Sequence, residues 1–279
     1  MGIKRILVPF YGDDKEISAL RYAFWLANIH GASVSCLHVS PDLSGHYGYS
    51  GPVLPPCVVA GVFDMAKSES EKQLIKARQL FDDTVSEHNV LAEWKSVVGD
   101  PDKVITSAGR AADVVVFDRS IISMHSSYHS LIRAVLFNTG RPVITVPSSY
   151  EPVSEHGINR VCIAWDGSSR AGRSVSMSLP FISLANSVSV LIVDTPEVGI
   201  SSADELLSYL HIHNMEALRI DVESGSLSVG EALMEEAVKH QADLLIMGAF
   251  THHRVHQLVI GSETNFMLDN AKIPIFMMH

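Results

Sequence analysis

A chain of 279 residues has room for two α/β domains of ordinary size, and 47% hydrophobic against 19% charged residues describes a packed core and excludes extended disorder. The formal net charge of −10 excludes a general binder of nucleic acid or anionic membrane, whose surface needs clustered Lys and Arg. The three cysteines, Cys36, Cys57 and Cys162, form no CxxC and no even framework, and the N-terminus carries no signal-like apolar region. No apolar run approaches the ~20 residues of a membrane span, so the expectation is a cytoplasmic protein without membrane association.

Taken in order, Arg5 to Gly12 (RILVPFYG) is a short apolar strand ending in an aromatic, one variable residue and glycine. Ile17 to Ile29 follows, with Leu20, Ala23, Phe24 and Ala27 on one helical face, and then a strand over Ala32 to Val39. Pro41 to Val90 begins with a Gly/Pro/Tyr-rich loop, Gly45 to Pro56, which reads as a flap or a subunit contact. A long amphipathic helix over roughly Met65 to His88 comes next. Trp94 falls in a third strand region, and Ala112 to Asp118 and Pro142 to Val146 are two further strands. Ser148 to Asn159 lacks apolar periodicity, contains Pro and Gly, and marks a boundary.

The pattern then starts again. Arg160 to Gly167 (RVCIAWDG) reproduces the opening strand, and Ser174 to Ala185 reads as a helix that Pro180 should kink or shorten. Asn186 to Val193 matches Ala32 to Val39, and a helix near Ser201 to His213 replaces the longer insertion of the first copy. Ala242 to Gly248 matches Ala112 to Asp118, and Pro274 to Met278 matches Pro142 to Val146. Strands without polar alternation, separated by helices, belong in a parallel sheet covered on both faces. The fold class is therefore α/β, with two tandem doubly wound domains over 1–149 and 158–279, each a five-stranded parallel sheet flanked by helices. Ligands in such sheets bind beyond the carboxyl ends of the strands at the switch in strand order, which puts the Asp166 and Gly248 loops on one edge.

Met247 to Thr264 (MGAFTHHRVHQLVIGSET) carries the chemistry. Gly248 ends a strand and Gly261 with Ser262 opens a helix, an arrangement that presents backbone N–H groups to an anion and suggests a bound nucleotide. His252, His253 and His256 are the best metal candidates, but no nearby Cys or acid completes a ligand set and Arg254 lies among them, so a solvated loop is the preferred reading and no metal ligand is assigned. Ser168 and Ser169 read as helix N-caps, and Asp113 and Asp243 as residues that cap or solvate strand starts. No nucleophile elbow or P-loop is present, and no Ser has an evident His and acid partner.

Together these features resemble the universal stress protein family in its tandem, two-domain form, across nearly the whole chain. The resemblance rests on the strand opening Trp165-Asp166-Gly167-Ser168, on the strand end Ala242 to Gly248, and on Gly261-Ser262 at the family's distance from Gly248. Thr251 stands where the family has a second glycine. The resemblance implies an adenine-nucleotide α-hydrolase-like fold that holds an adenine nucleotide, ATP with or without Mg²⁺, in the second domain. Asp166 would hold the ribose or adenine side, Ala164 would line the base pocket, and Val193 would meet adenine through its backbone. Gly248 beside Met247 would give the phosphates close access, Gly261 and Ser262 would bind their oxygens, and Thr251 would replace the missing glycine. Glu263 would repel phosphate unless Mg²⁺ bridges the two.

In the first domain Tyr11 stands for Asp166, Asp118 for Gly248, and His129-Ser130 for Gly261-Ser262. That domain is expected not to bind ATP and to be structural, its last strand pairing with that of the second domain as an intramolecular pseudo-dimer; a further homodimer is compatible but not required. No general base is evident and no catalytic residue is assigned, so the expected role is nucleotide-dependent regulation with at most slow ATPase activity. The alternatives are an interaction scaffold with both sites degenerate, or a metal-binding enzyme using the His252 loop.

Overall fold

The computed structural model describes residues 2–13, 17–42, 56–119, 128–148, 150–152, 157–193, 200–249 and 262–279. The first half runs β1 (Arg5–Pro9), α1 (Ile17–His30), β2 (Ser33–Ser40), α2 (Pro56–Ser86), β3 (Ala92–Val98), α3 (Pro101–Gly109), β4 (Val114–Asp118), α4 (Tyr128–Thr139) and β5 (Val143–Val146). The second runs β6 (Arg160–Ala164), α5 (Ser169–Ile182), β7 (Ser187–Val193), α6 (Ile200–Ile212), β8 (Ala217–Val222), α7 (Val229–Lys239), β9 (Leu244–Gly248), α8 (Ser262–Asn270) and β10 (Ile275–Met278). All strands join one sheet in the order β3-β2-β1-β4-β5-β10-β9-β6-β7-β8. Each half is parallel and doubly wound. The halves meet where β5 and β10 pair antiparallel, with Ile144 opposite Phe276. The expected pairing of the two last strands is therefore present.

The strands are apolar on both faces because helices cover both. Ile6, Val8, Val116, Ile163, Ile246 and Phe276 pack into one buried layer with Phe24 of α1 and Phe181 of α5. Their strand neighbours Leu7, Val115, Phe117, Cys162, Leu245 and Met277 enter the opposite layer with Ile105 of α3 and Met267 of α8. One period-2 alternation thus feeds two cores. Cys36 and Cys162 are both buried, and burial, with Glu236 nearby, pushes the Cys162 thiol up to about 12. It is a core hydrophobe rather than a nucleophile.

The two strand-leading aspartates do more than solvate. Asp113 Oδ2 accepts from the Lys4 and Arg5 backbone N–H groups at 2.7 and 2.9 Å. Asp243 Oδ2 accepts from Asn159 and Arg160 at 2.8 and 2.9 Å. Each pins the start of its domain's first strand to the start of its fourth. The repeat conserves this lock while much else diverges.

Two helices differ from the expected bounds. α2 begins at Pro56, well before Met65; over 61–65 the helix is largely exposed, Val62 and Met65 included, so that turn shows no buried apolar stripe. α5 begins at Ser169, earlier than Ser174, because Ser168 Oγ caps Ala171 N–H at 3.1 Å. Pro180 lies in the last turn of α5, where the missing N–H costs one bond, and the helix ends at Ile182. Among the described residues no helix is long and apolar enough to cross a membrane.

Candidate functional site

The strand order switches between β6 and β9, which are hydrogen-bonded neighbours with Ile163 opposite Ile246. The carboxyl ends of these strands bring Ala164, Trp165 and Asp166 alongside Met247 and Gly248. β7 adds Val193, buried at its strand end and opposite Val222 of β8. Sequence-assigned residues from three separate strands are thus gathered on one sheet edge, as the repeat requires.

The Asp166 turn is closed by its own side chain. Its Oδ1 accepts from Ser168 N–H at 2.9 Å, and Gly167 adopts φ +71°, a conformation side chains resist. A Cβ on Gly167 would also stand 3.2 Å from Ser202 Oγ. Trp165 Nε1 donates to that same hydroxyl at 3.4 Å, so the base of α6 closes over the turn. Asp166 itself is exposed, with one carboxylate oxygen engaged by its own loop.

Gly248 has a packing reason to be glycine. A Cβ there would lie 2.8 Å from Ala171 N and 3.1 Å from the carbonyl carbon and Cβ of Arg170, all in the first turn of α5. The strand end and the helix start are in backbone contact. Just behind, Ser174 Oγ, fully buried, donates to the Met247 carbonyl at 2.8 Å. Sequence reasoning missed Ser174, although its spacing from Ala171, Val175 and Ser178 already placed it on the buried face of α5.

α8 starts at Ser262, and its first N–H groups have no intrahelical acceptors. The Glu263 carboxylate accepts from Gly230 N–H at 2.5 Å, so it sits at the N-terminus of α7. There the helix dipole and an orphan donor both favour a negative charge. A Cβ at Gly230 would meet Glu263 Oε2 and Phe266 Cδ1, both at 2.7 Å, so this glycine is spent on the same contact. Thr251, Gly261 and the His252 loop lie outside the described residues. Among the described residues no three His, Cys, Asp or Glu side chains are grouped to hold a metal ion.

The first half arranges the same positions differently. Tyr11 precedes Gly12, which keeps φ +93° against Ala77 of α2. Tyr11 packs edge-on to His38 at 6.3 Å, and His38 stacks on Trp94 at 6.0 Å. The His38 Nδ1–H donates to the Phe10 carbonyl at 3.0 Å, while burial holds the imidazole below its ordinary pKa. Asp118, buried to 1% exposure, takes the place of Gly248. Its Oδ2 accepts from Ala19 N–H in the first turn of α1 at 3.2 Å, and its Oδ1 from Ser148 Oγ at 3.4 Å. An internal carboxylate occupies the helix start in this domain.

Comparison with known proteins agrees with this architecture. Residues 157–279 match the profile described as the universal stress protein family. The chain is 24% identical to the universal stress protein Slr1230 of Synechocystis, over 98% of this chain and 99% of that one. Among solved structures it is similar to a universal stress protein from Archaeoglobus fulgidus, at 16% identity and a TM-score of 0.68, covering 98% and 97% of the two chains. A Pseudomonas aeruginosa protein of the same description aligns at 12% identity and a TM-score of 0.59, covering 99% and 93%. The second half of this chain belongs to the universal stress protein family, and the first half repeats its doubly wound strand order.

Proposed function

We propose that the second domain binds an adenine nucleotide, ATP being the best fit, and that occupancy regulates the surface the protein offers to partners in the cytoplasm. The observation that carries this reading is the contrast at one position. Gly248 brings backbone against the start of α5, whereas Asp118 fills the equivalent place with a carboxylate. A polyanion is compatible with the first arrangement and opposed by the second. Asp166, with one oxygen held by Ser168 N–H, would present the other to the ribose. Ala164 and Val193 would face the base, and Met247 and Gly248 would flank the phosphates. Gly261, Ser262 and Thr251 complete the phosphate end on the sequence pattern. The side chain of Glu263 is engaged at Gly230, so its contribution would come from its backbone N–H in the first turn of α8. Mg²⁺ would offset phosphate charge there.

Calorimetric titration with ATP, with and without Mg²⁺, tests the reading against an Asp166→Ala variant. Saturable heat from the wild type that falls at least ten-fold in affinity in the variant is expected. No heat at millimolar nucleotide would leave the scaffold reading in its place.

A further inference from the structure

The positions that lost nucleotide chemistry in the first half now hold the phosphate-side helix of the second. His129 stands where the second half has Gly261, and its Nε2 lies 2.9 Å from Asp269 Oδ1 in the last turn of α8. Arg119 directly follows Asp118, and its guanidinium donates to the carbonyl of Ala271, the residue just past the end of α8. Two independent contacts therefore cross between the halves, and both close on one helix terminus. Their physics is consistent. A carboxylate such as Asp269 opposes the dipole at a helix C-terminus, and an adjacent donor relieves it. A guanidinium at the terminal carbonyls satisfies acceptors the helix cannot.

These two contacts are not returned in kind, although the second half makes one of its own, packing His279 on Phe137 in the last turn of α4 at 3.8 Å. The counterparts of Arg119 and His129 in the second half are Ala249 and Gly261, which have no side chain able to reach back. At its other end α8 is tied within its own domain by Glu263 on Gly230. The helix whose N-terminus opens at Ser262 is thus held at both ends, and its distal contacts with Arg119 and His129 come from the first domain.

We infer that Arg119 and His129 are positioning residues for the nucleotide site of the second half, acting through α8. The inference rests on the binding reading above for its ligand, and on the contacts alone for the brace. Removing the brace lets the α8 terminus fray and misaligns the N–H groups at its start, so affinity falls although neither residue touches the ligand.

The test compares wild type, the Arg119→Ala/His129→Ala double variant, and Arg119→Lys/His129→Gln, which keeps a donor at each place. Hydrogen exchange of residues 262–271 in the nucleotide-free protein should quicken at least ten-fold in the double alanine variant and return toward wild type in the conservative one. The dissociation constant for ATP, read by calorimetry, should follow the same order, weakening about ten-fold and recovering. Asp100→Ala, which uncaps α3 elsewhere in the first half, controls for general destabilisation and should leave both readouts unchanged. Wild-type exchange in α8 of the double alanine variant overturns the inference. Faster exchange with unchanged ATP affinity also overturns it, reducing the contacts to a structural role. If wild type binds no nucleotide, the binding reading fails by itself, and the coupling to ligand falls with it while exchange still decides the brace.

Discussion

The two halves share a strand order and differ tellingly at the contact between the end of the fourth strand and the start of the first helix. In the second half Gly248 lets backbone meet backbone at Ala171. In the first, the Asp118 carboxylate reaches Ala19 N–H and places a negative charge at that helix start. A helix start needs its orphan donors satisfied, and the copies meet that need from different sources. Ser168 caps α5 locally, whereas Asp118 reaches α1 from a strand almost a hundred residues away in sequence. The difference teaches that two copies of one fold can satisfy the same helix start by different means, one with a local hydroxyl and the other with a distant carboxylate.

What the halves keep in common is the most damaging place to cut. Asp243→Ala would strip the acceptor from Asn159 and Arg160 N–H, and Asp113→Ala would do so for Lys4 and Arg5. Leaving two such donors without their charged acceptor costs about 3 kcal/mol at the buried Asp243 site and about 2 kcal/mol at Asp113. Denaturant unfolding of both variants should rank them in that order. Equal, negligible losses would mean that the lock is dispensable.

The divergent contact comes next. Gly248→Ala forces a Cβ to within 2.8 Å of Ala171 N, backbone that cannot step aside. The overpacking should cost about 1–3 kcal/mol and weaken nucleotide binding with it. The reciprocal change, Asp118→Gly, removes a carboxylate from a buried helix start and should cost about 2 kcal/mol without conferring a nucleotide site, because Tyr11 and His129 still stand in it. Urea melts and nucleotide titrations of the two variants check the pair. A stable Gly248→Ala protein with undiminished affinity would break the proposed contrast.

Much of this was legible in the chain. The repeated openings at Arg5 and Arg160 reveal the tandem repeat and its alternation of strands and helices, and they match Asp166 and Gly248 with Tyr11 and Asp118. What could not be read is long-range partnership. Nothing near Asp118 in sequence announces Ala19, and nothing near Glu263 announces Gly230, because each pair is joined only by the winding of helices across the sheet. The early start of α2 was hidden for a different reason: residues 61–65 are largely exposed and leave no period. Ser174 was concealed by its own ordinariness, a small polar residue whose partner is a backbone carbonyl.

Acid sensitivity should separate the halves more gently. Burial holds the His38 imidazole below its ordinary pKa, and burial with the nearby Lys4 does the same for His30. Matching the paired strands and helices puts Ile192 and Ile182 at these places in the second half. With folded pKa values depressed, the unfolded chain binds the extra protons. Their stabilising contribution is therefore full above about pH 6.5 and is lost as pH falls from there toward the folded values. The slope is at most about 1.4 kcal/mol per pH unit for each group. Melting curves between pH 5 and 7 should flatten in His30→Ile/His38→Ile, and an unchanged slope would assign the acid limb to other groups.

The smallest effect concerns one pair of matched hydroxyls. Tyr22 and Ser174 occupy the same place on α1 and α5, both fully buried. Ser174 donates to the Met247 carbonyl, whereas the Tyr22 hydroxyl has no hydrogen-bond partner among the described residues. The Tyr22 ring, however, packs on Trp25 at 5.1 Å and edge-on to Tyr150 at 6.0 Å. Its place is therefore held by the ring, and burial raises the phenol pKa well above its ordinary value, keeping it neutral. Removing an unpaired buried hydroxyl while keeping the ring takes away a desolvation penalty and no bond. Tyr22→Phe should thus be neutral or stabilising by up to about 1 kcal/mol, while Ser174→Ala should lose about 1 kcal/mol by orphaning the strand carbonyl. Paired thermal melts resolve the opposite signs, and a clear loss in Tyr22→Phe would show that the hydroxyl is bonded after all. Opposite signs at equivalent positions would place the tighter polar packing in the second half, at the strand end that carries Met247 and Gly248.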